Sequence, residues 1–358
     1  MSSNKGGESL GTGRPASLSG GRLLSLAVVL FFLAAPFVLP SYKTVDLAVK
    51  ILIFATLVAS FDIMLGYTGI LSFGHGMFFG IGAYSVAFTI GKYGEPTYLN
   101  LLLGLCIGLG AAAALAVFVS FLSLRVKAIF FAMVTLAIAD LAEILALKLS
   151  AFSGGEDGIS LFLPGVLAAS FDGGTFLGLE ITGRVLTYYL IFLACLGLFL
   201  LMLRFTHSPL GRVLQAIRDN EQRAEAIGYR TFLFQAAAIT FACMAATVTG
   251  GLYALWVGYV NPESCLGVFT IMLGVLLMCI IGGMGTLYGG IVGAAFYIGT
   301  ETFLPDLESL AQARFPDVRI LHSVLERWPL VLGLLFILVV IFFPRGVVGS
   351  IRHHMARR

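Results

Sequence analysis

Four carboxylates stand inside runs of sequence that are otherwise apolar: Asp62, Asp140, Glu143 and Glu301. A charge at membrane depth is costly, so each is a functional candidate by default. Asp140 and Glu143 share a helix face, the arrangement that a proton-coupled carrier would use. No basic residue lies deep inside a span to pair with them, and Lys148 is nearer an interface. A neutralised acid, or one paired with a partner, accounts for the same residues.

A second group of polar residues is threaded through LGYTGILSFGHGMFFGIGAYS, Leu65 to Ser85. Gly66, Gly69, Gly74, Gly76, Gly80 and Gly82 weaken a helix and let backbones approach, with Gly76 and Gly80 in small-xxx-small spacing. Packing alone does not call for Tyr67, Thr68, Ser72 and His75 among the glycines. Kinked backbone at this depth is tolerated where it is buried in protein or lines a wet cavity. A tight hinge with satisfied hydroxyls and a pathway lining are both compatible with any one of these residues.

Other chemistry is excluded by what is missing. No GxxxxGK[ST] phosphate loop occurs, so the chain does not by itself bind and hydrolyse ATP in the P-loop manner. GxSxG, HExxH and paired-cysteine metal motifs are absent, and Cys106, Cys195, Cys243, Cys265 and Cys279 show no CxxC spacing. No catalytic residue, metal site or bound cofactor is expected.

The elements that must position these residues are membrane helices. Apolar residues make up 59% of the chain and charged ones 11%, against about 25% charged in a soluble domain. Strand alternation of the kind a membrane barrel needs is absent. The expected fold is all-α: a polytopic bundle of about ten transmembrane helices, over 23–40, 46–65, 77–91, 99–124, 128–149, 185–203, 233–256, 265–281, 289–303 and 328–343. The first run is long for a signal peptide and lacks a small-x-small cleavage site, so it is taken as a span. The run at 289–303 is short, Gly-rich and carries Glu301, which marks it as re-entrant or broken. Residues 1–22 have a tail composition and are expected to be disordered, 23–343 form the membrane domain, and 344–358 are a basic tail. With both ends cytoplasmic, fourteen of the 22 Lys and Arg residues fall inside, as the positive-inside rule requires.

The longest charged, helix-forming segment is RFTHSPLGRVLQAIRDNEQRAEAIGY, Arg204 to Tyr229, within a loop at 204–232. After Pro209, Leu210, Val213, Leu214 and Ile217 repeat at helical spacing while Arg212, Arg218, Asp219, Glu221 and Arg223 face elsewhere. Gly228 lies where a helix commonly ends. The spacing predicts a short amphipathic cytoplasmic helix. A further stretch, IGGMGTLYGGIVGAAFYIG from Ile281 to Gly299, places Gly285, Gly289 and Gly293 four apart, as one stripe for close helix packing. The glycine-rich turns near 66–76 and 282–289 both lead into a helix from the cytoplasmic side, a weak sign of internal duplication. Outside, SGGEDGI (Ser153 to Ile159) is a turn-rich acidic loop, and YVNPES (Tyr259 to Ser264) is a short element with about one helical turn after Pro262.

Taken together and in this order, GYTG with SFGH, SGGEDGI, SPLGRVLQAIRDNEQRAEAIGY, YVNPES and GGMGTLYGG resemble the LivM-type membrane permease of the branched-chain amino acid ABC importers, over about Ser41 to Gly346. The resemblance implies a permease without a cofactor of its own, in the bacterial cytoplasmic membrane. Its partners would be a second related permease, two cytoplasmic ATP-binding subunits that bind the ATP, and an external solute-binding protein. Arg212, Arg218, Asp219, Glu221, Arg223, Glu225, Ala226 and Gly228 would then couple to an ATPase, and Gly66, Tyr67, Thr68, Gly69, Ser72 and His75 would lie near the translocation path. Asp62 departs from the family, where Asn is more usual. Related permeases serve urea, short amides and other amino acids, so those solutes are alternatives to branched-chain amino acids. A free-standing carrier driven through Asp140 and Glu143 is the competing class.

Overall fold

The computed structural model describes residues 17–38, 41–92, 94–123, 128–168, 171–176, 179–314, 327–343 and 346–350. Residues 1–16, 351–358 and the basic pair Arg125 and Lys127 lie outside them; the first helix begins at Ser17, so part of the expected N-terminal tail is helical.

The bundle is built from α1 (Ser17–Val38), α2 (Tyr42–Asp62), α3 (His75–Ala87), α4 (Tyr98–Ser123), α5 (Ala128–Lys148), a short α6 (Ser150–Ser153) and α7 (Gly183–His207). It continues through two short helices, α8 (Pro209–Asp219) and α9 (Glu221–Ala226), then α10 (Thr231–Val257), short α11 (Pro262–Leu266), α12 (Leu273–Gly282), α13 (Leu287–Arg314) and α14 (Trp328–Phe342). Among the described residues, sheet is confined to two antiparallel ribbons, β1 (Ile159–Ser160) with β4 (Tyr259–Val260), and β2 (Asp172–Phe176) with β3 (Leu179–Thr182).

Six of the described helices are long and apolar enough to cross a membrane, and a seventh span results if one bent pair is counted once. About ten apolar runs stand in the sequence. Part of the difference is the bent pair, Val268–Gly282 and Leu287–Asp306, which meet at 116° and merge two runs. The described apolar part of α1, Leu26–Val38, is short, and α3 is diluted by glycines and polar residues. The break lies at 283–286, ahead of α13, and α13 itself is continuous through Glu301.

α2 lies at the centre, packed on α10, α12, α13 and α7, while α3 packs on α10 and α4. Small residues set these approaches. A Cβ at Gly82 would fall on the Thr247 carbonyl oxygen, and one at Gly250 on the Phe79 carbonyl oxygen, so α3 and α10 cross backbone to backbone. Several threonine hydroxyls of this crowded centre bond to the preceding turn, as with Thr247 Oγ1 to Cys243 O at 2.9 Å and Thr56 Oγ1 to Leu52 O at 2.8 Å. The expected glycine stripe is shorter than its spacing suggests. Gly285 sits in the turn at φ 80°, and only Gly289 and Gly293 lie on α13, where they meet the backbone of α12 at Gly282 and Met278. The periphery is apolar and open: Ile129, Phe130 and Met133 on α5 and Leu334 and Ile337 on α14 are exposed, a surface suited to lipid or to another membrane chain.

Long-range contacts define two ends. At one, α8 meets the turns after α2 and before α13. At the other, the Lys43 ammonium pairs with Asp306, Trp256 Nε1 donates to Asp46 at 2.8 Å, and the Arg184 guanidinium lies 3.9 Å from the Tyr42 ring centroid. That second end also joins the two loops singled out in the sequence: Ile159 pairs with Val260, and the Tyr259 hydroxyl donates to the Asp157 carbonyl at 3.0 Å.

Candidate functional site

The amphipathic segment forms a helix pair with two caps. Ser208 Oγ accepts from the Gly211 N–H at 3.3 Å, and Pro209, which has no N–H to satisfy, occupies the first turn of α8. Asn220 then stops α8 and caps α9, its Oδ1 accepting from the Arg223 N–H at 2.9 Å. The chain leaves α9 through Gly228, at φ 96°. α8 buries Gly211, Leu214 and Ile217 against the bundle.

Two of the acids expected to couple do not project freely. Glu221 Oε1 accepts from Gln235 Nε2 at 3.2 Å and Glu225 Oε1 from Thr231 Oγ1 at 2.8 Å, both on the first turns of α10. They fasten α9 to a long helix. Arg212, Asp219, Arg223, Ala226 and Gly228 remain exposed. Beside them Ile227 is 71% exposed and Tyr229 is also exposed, two large apolar side chains that patterning on α8 alone did not single out.

Arg218 is the residue through which α8 reaches the membrane segment. Its Nη1 donates to the carbonyl oxygen of buried Gly66, in a five-residue π turn (Ile63–Tyr67) that ends α2. Wide turns of this kind inside helices concentrate at functional sites. Gly66 also touches the second glycine-rich turn, since a Cβ on it would fall on the Asp62 carboxylate and the Gly285 nitrogen. The Gly285 N–H donates to Asp62 Oδ1 at 2.7 Å, and a Cβ on Gly285 would lie 3.3 Å from Arg218 Nη1. Asp62 is 1% exposed and its Oδ2 has no protein partner. Sequence reading had the two turns as separate entries into helices; the fold presses them together under α8.

The remaining residues assigned to a path surround this junction. Tyr67, Thr68, Ser72 and His75 are all buried. Gly69 lies against Arg218, whose Cγ would be 3.3 Å from a Cβ there. His75 Nε2 is 2.9 Å from Ser60 Oγ, its ring packs 5.5 Å from that of Phe61, and its Nδ1 has no partner. The group is a packed joint of turns.

Open space lies towards the opposite end, in a cavity of about 640 Å³ bounded by α2, α10, α12, α13 and the 261–271 segment. Its charged residues are Lys43, Asp46, Lys50, Glu263 and Glu301. Of the four acids set in apolar runs, Glu301 faces this cavity and Asp62 the junction. Asp140 is exposed on the outer face of α5 and Glu143 is half-buried there, away from both.

Comparison with known proteins agrees with this architecture. The family model described as "Branched-chain amino acid transport system / permease component" matches residues 43–340. The chain is 29% identical over 345 residues to the high-affinity branched-chain amino acid transport system permease protein LivM of Escherichia coli K12, covering 92% of this chain and 76% of that one. Its likeness to the Salmonella typhimurium protein of the same name is 28% with the same coverage. The probable branched-chain amino acid transport permease protein LivM of Methanocaldococcus jannaschii is 24% identical, over 81% of this chain and 88% of its own length. No solved structure matches. The chain is a multi-pass membrane protein that belongs to the family of branched-chain amino acid transport system permease components, with its likeness there to the LivM-type subunits.

Proposed function

We propose that the chain is one of two membrane subunits of an ABC importer in the bacterial cytoplasmic membrane. It forms part of the path for branched-chain amino acids and is driven by two cytoplasmic ATP-binding subunits that bind the ATP. The observation that carries this reading is the α8–α9 pair. One face is clamped to the bundle through Leu214, Ile217 and Arg218, and the other presents Arg212, Arg223, Ile227 and Tyr229. Such a surface is suited to a soluble partner, with aromatic and Arg anchors beside exposed apolar area. Its basic side chains support a cytoplasmic position by the positive-inside rule, and with that orientation the β1–β4 ribbon lies outside, where a solute-binding protein would dock.

A second membrane subunit is supported by α5. Asp140 is exposed near the middle of a span, where lipid is a costly neighbour for a carboxylate, and a partner chain that covers it removes the cost. The same exposure argues against a carrier worked by Asp140 and Glu143, since neither faces the cavity.

The test is purification of the tagged chain from native membranes in mild detergent, followed by identification of co-eluting proteins and an ATPase assay. Two P-loop subunits and a second permease are expected, with hydrolysis stimulated by an amino-acid-loaded binding protein. A lone protein that takes up solute in liposomes under a proton gradient would overturn the reading.

A further inference from the structure

The cavity opposite α8 carries charges in an arrangement that the packed junction does not. Lys50 and Glu301 come from helices packed on each other, α2 and α13, and line the same cavity. Lys50 Nζ is held 2.8 Å from Asp46 Oδ2, and Asp46 is in turn fixed by the Trp256 N–H at 2.8 Å. Glu301, by contrast, makes no hydrogen bond or ion pair among the described residues. A positioned ammonium and a free carboxylate thus line one cavity.

Helix direction places apolar residues below these charges. α2 runs inward from this end and α13 runs towards it, so Phe54 lies one turn deeper than Lys50 and Ile298 one turn deeper than Glu301, a step of about 5 Å. Ile271 and Met278 line the same space and are buried. The volume falls in the range of about 300–1,000 Å³ usual for small-molecule sites; nine of the fifteen lining residues are polar or charged, and Phe54, Ile271, Met278 and Ile298 form an apolar patch among them.

We infer that this cavity is a binding site for an aliphatic L-α-amino acid zwitterion, with Glu301 receiving the ammonium, Lys50 the carboxylate, and Phe54, Ile271, Met278 and Ile298 the side chain. This deepens the importer reading and rests on it for the direction of passage. It places solute selection in the membrane subunit as well as in any external protein. The site is expected to favour the zwitterion over urea and short amides, which return no ionic contact to Lys50 or Glu301 and leave the apolar patch unfilled.

The experiment is equilibrium binding of radiolabelled L-leucine to the purified membrane complex, without ATP and without the solute-binding protein. Competitors are 4-methylpentanoate, which lacks the ammonium, 3-methylbutylamine, which lacks the carboxylate, and acetamide. Saturable L-leucine binding is expected, with each competitor weaker than unlabelled leucine by about tenfold or more, the loss expected for one charge contact. Glu301→Gln and Lys50→Gln should each weaken L-leucine by a similar factor. Glu301→Asp, which keeps the charge, should restore most of the binding and so separates a local effect from misfolding. Absence of saturable binding, equal competition by a single-charge analogue or by acetamide, or normal binding by Glu301→Gln would each overturn the site. The importer reading fails by a different sign, the lack of P-loop subunits in the preparation, which leaves this result standing.

Discussion

Removing the Arg218 guanidinium tests the junction most directly. In Arg218→Ala, α8 keeps its apolar seat, because Leu214 and Ile217 stay buried, and each such side chain contributes about 1.5–3 kcal/mol by burial. What is lost is the hydrogen bond to the Gly66 carbonyl. A bond from a charged donor contributes about 1.5–3 kcal/mol, and a part-exposed arginine belongs at the lower end, about 1.5–2. That corresponds to a shift of about 10- to 30-fold between α8 engaged and disengaged from the turn. The helix therefore stays folded but transmits poorly. In proteoliposomes holding the assembled complex, the expected result is ATP hydrolysis near the wild-type rate with amino acid uptake reduced by about tenfold. Arg218→Lys, which keeps a donor but not the planar fork, should fall between. An unchanged ratio of uptake to hydrolysis in Arg218→Ala would refute the reasoning. So would loss of the complex from the membrane, since that would make the residue a folding element.

Asp62→Asn retains an oxygen for the Gly285 N–H and should leave uptake within about twofold, whereas Asp62→Ala leaves that donor unmet and should cost about 1–3 kcal/mol, read as a lower melting temperature of the purified complex. At the α3–α10 crossing Gly82→Val drives a side chain into the Thr247 backbone; membrane-inserted protein should fall to background by immunoblot, while Gly110→Val, with open space around it, should not change it. Gly228→Val meets nothing but must hold φ 96°, at a strain of about 1–2 kcal/mol, so it should uncouple hydrolysis from uptake with the complex intact. Ile227→Asp puts a charge into the exposed apolar pair and should lower recovery of the ATP-binding subunits in a pull-down while this chain stays stable.

Patterning in the chain reveals some of this and conceals the rest for definite reasons. The amphipathic helix was legible because Pro209, the Leu210-to-Ile217 spacing and Gly228 are local signals; the break at Asn220 and the ties of Glu221 and Glu225 to α10 are not. The helical class followed from composition. The meeting of the turn at Gly66 with the turn at Gly285 was not legible, because the residues are 219 apart and no local rule measures such a distance. Glu301 could be marked as an acid in an apolar run, as could Asp140, yet only packing separates the one that faces a cavity from the one that faces outward. Lys50 counts in the sequence only among the charges outside the membrane, since a lysine near the start of a span reads as an interfacial anchor. Its significance depends on Asp46 and Trp256 holding it beside α13. Gly285 was misplaced on a helix because a four-residue period cannot show that the helix starts only at Leu287.

The two sites share their helices, and that sets how one could act on the other. α2 carries Lys50 towards one end and Asp62 at the other, about 18 Å apart along the helix; α13 starts just after Gly285, at Leu287, and carries Glu301 about 21 Å further on. Asp62 binds the Gly285 turn, and Arg218 binds the turn that follows Asp62. The foot of both cavity walls is thus tied to α8, and a displacement of α8 that carries the junction reaches the Lys50 and Glu301 walls through stiff elements. The tie at 283–286 is a bend of 116° and the one after α2 is a π turn, so the compliant points lie at the junction while the helices between remain rigid. On this geometry, loosening the Arg218 contact alters how the walls move without altering the residues that face the solute. Arg218→Ala should therefore leave L-leucine affinity in the resting complex unchanged even as it uncouples uptake, whereas Glu301→Gln should weaken that affinity and leave ATP hydrolysis by the partners intact.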